Sequence, residues 1–258
     1  MAERPKADLG EDEFYTGYLP AAPGGVARHV RRWVVLLFLL TAAAALALVF
    51  AQQGFSAAVY EFLVFRDFTG VVSEEPYPTL AVARPGRAED AAASRFYLVG
   101  PGKHGATHEL DGFDGQRVEL RGSLLYRDDQ TMVEVEPGSV VEAGSGEIGE
   151  GEQQLGRRTL IGKIVDSKCF LGIMKPGSTK PHRACAARCI AGGVPPIFVL
   201  SDAGGPAAYL MLVGADGRGV NDEVLDRVDE PLEITGEVSR LDDLWILAAD
   251  PATYRRLP

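Results

Sequence analysis

Trp33 to Ala51 (WVVLLFLLTAAAALALVFA) is an uncharged, almost wholly apolar run set directly behind Arg28, His29, Arg31 and Arg32. It restricts the folds open to this chain more than any other feature. Its 19 residues, at about 1.5 Å each, cover roughly 28 Å, close to the hydrocarbon thickness of a bilayer. Apart from the Trp33 indole at the edge, only Thr41 carries a polar side-chain atom, and a threonine hydroxyl bonds back to its own helix. Arginines flank one end and the uncharged Gln52-Gln53-Gly54 flanks the other. Cationic flanks stay cytoplasmic, so residues 1–32 are expected inside as a tail and everything after the span outside. The expectation is a single-pass helix in a bacterial cytoplasmic (inner) membrane, with the lipid bilayer as its partner over residues 33–51. The competing reading is a cleaved signal peptide, with Val49-Phe50-Ala51 supplying the small residues before the cut. The 32 residues ahead of the run and the length of the run itself favour an anchor.

After the span 207 residues remain, enough for one large domain or two small ones. Of 26 Lys and Arg and 36 Asp and Glu in the chain, five of each lie in residues 1–32, leaving 21 basic against 31 acidic residues, near −10. Such a surface repels phosphate backbones, so no nucleic-acid partner is expected. The tail carries EFYTGYLP, a stretch suited to docking but too short to fold alone.

Beyond the membrane face, Phe55 to Phe65 (FSAAVYEFLVF) is expected to continue the helix to about residue 65 or to lie at the interface, with Tyr60 and Phe62 at headgroup level. Short β-like runs follow at Thr79–Ala83, Arg95–Val99, Arg117–Tyr126 and Thr131–Glu136. In RVELRGSLLYR, Val118, Leu120, Gly122 and Leu124 share one face opposite Glu119, Arg121 and Ser123, the period of a half-buried strand. Asp128-Asp129-Gln130 turns it into a hairpin. EAGSGEIGEGEQQLG is too poor in large aliphatic residues to order itself, so residues 143–156 read as a linker between a first exported domain, 66–142, and a second, 157–258.

The second domain repeats the pattern, with strands at Thr159–Val165, Phe198–Leu200, Ala207–Val213, Leu232–Val238 and Leu244–Ala249, and a short helix at Asn221–Val228. Five short strands with a helix before the last hairpin predict a small OB-like barrel. The fold class is therefore mainly β: one transmembrane helix and two tandem β-barrel domains. The alternative is one β-sandwich across both halves.

All three cysteines, Cys169, Cys185 and Cys189, lie between the first two strands of the second domain. Pro181 and Gly192-Gly193 bracket a short helix on which His182, Cys185 and Cys189 share a face, with Cys169 reaching them from the strand end. Three chemistries fit. A disulfide from Cys169 to Cys185 or Cys189 would pin the helix to the barrel, worth about 3 kcal/mol, whereas a Cys185–Cys189 bridge would be strained. A closed Cys3His site of Cys169, Cys185, Cys189 and His182 would hold structural zinc or another metal. A redox, haem- or copper-handling role is the third, with Lys168, Arg183 and Arg188 lowering a thiolate pKa. No other cofactor is expected.

The Asp166-Ser167-Lys168-Cys169 pattern, a loop, Cys185-x3-Cys189, the glycine pair and LEITGEV resemble small exported bacterial domains of OB-like type that are functionally uncharacterised. The resemblance covers residues 157–250 and implies an exported barrel; it brings no activity. His104 and His108, in GPGKHGATH, form a secondary candidate: a metal pair with Asp111 or Asp114, or an exposed turn, since the phosphate-loop ending is missing. No Ser-His-Asp order, paired-carboxylate motif or Rossmann fingerprint occurs, so no enzyme is expected. The sequence points to a non-catalytic anchored subunit that binds or braces a membrane protein complex, such as one carrying electrons. The rival is a metal-, haem- or thiol-handling assembly factor using the Cys/His cluster.

Overall fold

The computed structural model describes residues 22–53, 58–83, 93–144, 152–200 and 208–258. The EFYTGYLP stretch and residues 145–151 of the expected linker lie outside them. Two units result, Met1–Phe55 and Ser56–Pro258.

The first unit holds α1, Gly24–Gln53. It starts nine residues before Trp33, so Arg28, Arg31 and Arg32 lie within the helix. Leucine, alanine and the absence of Gly or Pro after Gly25 favour the helix. The Thr41 hydroxyl donates to the Leu37 carbonyl at 2.8 Å, as its apolar surroundings require. Gly24–Ala51 is long and apolar enough to cross a membrane, with a mean hydropathy of 2.8 in its most apolar window. By composition alone a signal sequence would pass the same test.

The second unit is two closed five-stranded barrels. The first contains β1 (Val59–Ser73), β2 (Thr79–Val82), β3 (Ser94–Val99), the single turn α2 (Thr107–Leu110), β4 (Arg117–Arg127) and β5 (Gln130–Val135), with the short β6 (Val141–Glu142) beside β4. The strands run β1-β2-β3-β5-β4, and β4 pairs back onto β1. Every pairing is antiparallel except β3 with β5. The second barrel contains β7 (Glu152–Asp166), the helix α3 (Arg183–Ala191), β8 (Pro196–Leu200), β9 (Tyr209–Val213), a 3-10 turn at Asp222–Arg227, β10 (Leu232–Leu241) and β11 (Leu244–Ala248). Its order, β7-β8-β9-β11-β10 closing on β7, repeats the first, again with one parallel pair, β9 with β11; β12 (Arg255–Arg256) adds to β10. This is the OB-like topology, and a single sandwich is excluded because each sheet closes on itself.

Two boundaries differ from the sequence expectation. Val59–Ser73 is a strand paired with β4, not a continuation of the membrane helix. Its β-branched and aromatic residues gain cross-strand partners there, and the Tyr60 hydroxyl donates to Glu134 at 2.7 Å. The register slips between Tyr60 and Phe65, leaving Phe62 and Leu63 exposed. The first barrel therefore begins at residue 59 rather than 66. Similarly, Glu152–Gly156, expected as linker, extends β7 along β10, because the long β10 supplies backbone partners out to Leu241.

Three apolar cores follow from this. One fills the first barrel around Leu80, Leu98, Leu120 and Val133, and one fills the second around Ile164, Phe198, Leu212 and Ile234. The third lies between the barrels, where Tyr77, Tyr97, Leu125 and Met132 of the first meet Cys169, Phe170, Tyr209 and Met211 of the second. The barrels thus form one body. Tyr77 is its rivet: its hydroxyl donates to the Leu212 carbonyl at 3.1 Å and accepts from the Val220 amide at 2.8 Å.

Candidate functional site

β7 ends at Asp166, and the chain winds into one π-helical turn, Cys169–Ile173, a rare geometry frequent at functional sites. Asp166 anchors it, accepting from the Cys169 amide at 2.7 Å. A 3-10 turn, Lys180–His182, then leads into α3, where Cys185 and Cys189 lie one turn apart on the same face. The helix closes with a glycine cap: Val194 N donates to the Cys189 carbonyl at 3.0 Å and Gly193 N to Ile190 at 2.9 Å, with Gly193 at φ +93°.

The three sulfurs converge, all within 4.8 Å of one another. Cys169 and Cys189 are buried and 3.9 Å apart, unbonded, and all three thiols are free in this structure. A disulfide bond is about 2.05 Å long, so bridging these two needs a rotation of the side chains. His182 does not join this set. Its Nε2 lies 3.1 Å from Asp166, and Asp166, Cys169 and His182 form a second group of candidate ligands that shares only Cys169 with the first. The expected Cys3His quartet is therefore two overlapping triads. The physical reason is that His182 precedes α3, on the 3-10 turn, where three residues per turn aim it at the buried carboxylate.

No local sequence pattern signals that the first barrel completes the site. Lys103, from the GPGKHG loop, places its ammonium 2.7 Å from Cys185 Sγ and 3.8 Å from Cys189 Sγ. Lys168, fully buried, holds that loop: its Nζ donates to the carbonyls of Gly100 at 2.6 Å and Gly102 at 2.7 Å and pairs with Glu134 at 2.5 Å. The loop also presses on the end of α3. Gly105 N donates to Gly192 O at 2.9 Å, and a Cβ on Gly192 would lie 1.9 Å from the Lys103 carbonyl. The usable signal was the glycine content of both segments, which permits backbone-to-backbone approach.

This arrangement sets the charges. The hydrogen bond with Cys169 lowers the Cys189 pKa; burial opposes this and the Lys103 ammonium reinforces it. The same bond, with burial and the Asp166 charge, pushes Cys169 up. Of the two, Cys189 is the thiol that loses its proton more readily and Cys169 the one that holds it. The bond to Asp166 raises His182 against the effect of burial, and the contact with Cys185 raises Lys103. His104 and His108 are exposed and join no three-ligand group among the described residues. Asp114 accepts instead from the Glu74 amide at 2.9 Å.

No family model matches the chain, and no curated protein matches it. Among solved structures it is similar to a deletion mutant of the single-stranded DNA binding protein from Thermus aquaticus, at 11% identity over 79% of this chain and 90% of that one, with a TM-score of 0.21. So slight a likeness carries nothing about function.

Proposed function

We propose that this chain is a membrane-anchored, non-catalytic module that captures a thiophilic metal cation outside the cytoplasm and serves the assembly of a membrane complex that uses it. The observation that carries the reading is the convergence of Cys169, Cys185 and Cys189 to within 4.8 Å beside the Lys103 ammonium. Soft thiolates select cations such as Cu(I) and Zn(II). At a metal–sulfur distance of about 2.3 Å, two sulfurs on one ion stand roughly 3.8–4.0 Å apart, and Cys169 and Cys189 are already at 3.9 Å. The ammonium facing Cys185 supports the view that this face accepts positive charge. Arg28, Arg31 and Arg32 ahead of the apolar span support a cytoplasmic N-terminus and exported barrels.

The test is titration of the reduced, detergent-solubilised chain with Cu(I) and with Zn(II). At least one tightly held equivalent is expected, with a sulfur-to-metal absorption for Cu(I), and the equivalent at the three sulfurs is lost in Cys185→Ser and Cys189→Ser. A chain isolated from native membranes with a Cys169–Cys189 disulfide, one titratable thiol and no metal would overturn the reading in favour of a structural bridge. Protease added to intact spheroplasts should digest the C-terminal barrels. Sparing them would overturn the topology.

A further inference from the structure

Cys169 belongs to two ligand sets. One is the three-sulfur group. The other is Asp166, Cys169 and His182, whose ligand atoms also lie within 4.8 Å of one another. All three residues of the second set are buried, Asp166 at 0% exposure. Across a tetrahedral zinc ion, oxygen and nitrogen ligands at 2.0–2.1 Å stand about 3.3 Å apart, and His182 Nε2 is 3.1 Å from the Asp166 carboxylate. A further acid faces the same place. Asp229 is 5% exposed, and its charge raises the His182 pKa. One of its oxygens accepts from the Thr179 amide at 2.9 Å, while the other, Oδ2, is buried with no hydrogen-bond partner among the described residues. The imidazole thus lies in the field of two buried acids, Asp166 and Asp229, and Lys163 is a further cation felt at Asp229. Buried negative charge of that kind calls for a counter-cation.

The geometry points to a second cation position, held by the Asp166 carboxylate, His182 Nε2 and Cys169 Sγ, next to the three-sulfur position and sharing Cys169 with it. Mixed oxygen, nitrogen and sulfur ligands suit a borderline divalent cation of the zinc class, whereas the all-sulfur set suits a softer one. Occupation of either position forms a bond to Cys169 Sγ and releases its proton to solvent; at the second, His182 Nε2 also gives up to solvent the proton it shares with Asp166. With both filled, the Cys169 thiolate bridges the two ions. With one filled, a cation has two adjoining resting places that differ in softness, which is the arrangement a handling protein needs for transfer. This inference rests on the proposed function and deepens it.

The experiment uses the full chain, reduced and in detergent, titrated with Co(II) and Zn(II), with bound metal counted by elemental analysis and thiolate ligation followed by the Co(II) charge-transfer absorption. Two equivalents are expected in the wild type. His182→Gln, which can still hydrogen-bond Asp166, should keep the first equivalent and weaken the second by about 100-fold. Cys185→Ser should do the reverse, and Cys169→Ser should weaken both. If the Gln variant does not fold, Asp166→Asn gives the same readout. A single equivalent in the wild type, lost in Cys185→Ser and unmoved by His182→Gln, overturns the second position and leaves the three-sulfur site standing. No uptake by the reduced wild type overturns both.

Discussion

Lys168 shows how much one side chain does here. It is buried, and three acceptors meet its ammonium: the Gly100 and Gly102 carbonyls and Glu134. Removing one partner of a buried pair leaves the others desolvated, so Lys168→Met is expected to cost about 3–5 kcal/mol in urea denaturation. Lys103→Met removes an exposed cation and should stay within about 0.5 kcal/mol. Gly192→Ala puts a methyl group into the Lys103 carbonyl, an overpacking of about 1–3 kcal/mol. Its specific signature is faster hydrogen exchange at the Gly105 amide, whose acceptor is Gly192 O. At this scale the sequence was half legible. Cys185 and Cys189 share a face because four residues separate them, and that can be read from spacing. Lys103 reaches them across 82 residues of chain, and no local pattern encodes such a meeting. His182 was placed on the wrong set because a 3-10 turn and an α-helix look alike in three residues of sequence.

Hairpins were the most legible elements. Asp128-Asp129 and Asp242-Asp243 each join two strands, and Asp128 and Asp242 take the positive φ, 53° and 57°, that short turns demand. What the sequence concealed is that the second turn also joins the barrels. Asp242 accepts from Arg95 Nε at 2.7 Å and from the Ala93 amide at 3.2 Å, and Asp243 accepts from the Arg95 amide at 2.8 Å. Asp242→Asn keeps a residue type that tolerates left-handed backbone but removes a buried charge beside a guanidinium. The expected loss is about 3 kcal/mol, read as a shift in thermal midpoint, because the carboxylate and Arg95 are both desolvated. A loss below about 0.5 kcal/mol would mean that the turn contributes only its backbone. A clue did exist in β9: YLMLV is apolar at every position and buried at every position. A strand facing solvent on one side alternates, so a continuous apolar strand implied cover on both faces.

Across the whole molecule, the core between the barrels decides how it unfolds. Burial pushes the phenols of Tyr77, Tyr97 and Tyr209 well above the usual tyrosine range. A folded-state pKa raised above the unfolded value stabilises fully below about pH 10, and that contribution is lost as pH climbs through the folded value. Tyrosinate absorbance from these residues should therefore rise together with loss of structure in an alkaline titration, not ahead of it. The same core makes a stronger demand. It buries sixteen residues, five from the first barrel and eleven from the second, with Tyr97 at 1% and Met211 at 1% exposure. Either barrel alone would present that apolar face to water, a patch of the kind that drives aggregation in small domains. Residues 56–258 should accordingly melt in one transition, with calorimetric and van't Hoff enthalpies in agreement. Residues 58–144 and 152–258 expressed separately should be unfolded or aggregated. Dispersed amide spectra from both isolated fragments would show instead that the barrels fold first and dock later. In that case the cysteine site, which takes Lys103 from one barrel and its thiols from the other, would be assembled by docking rather than by folding.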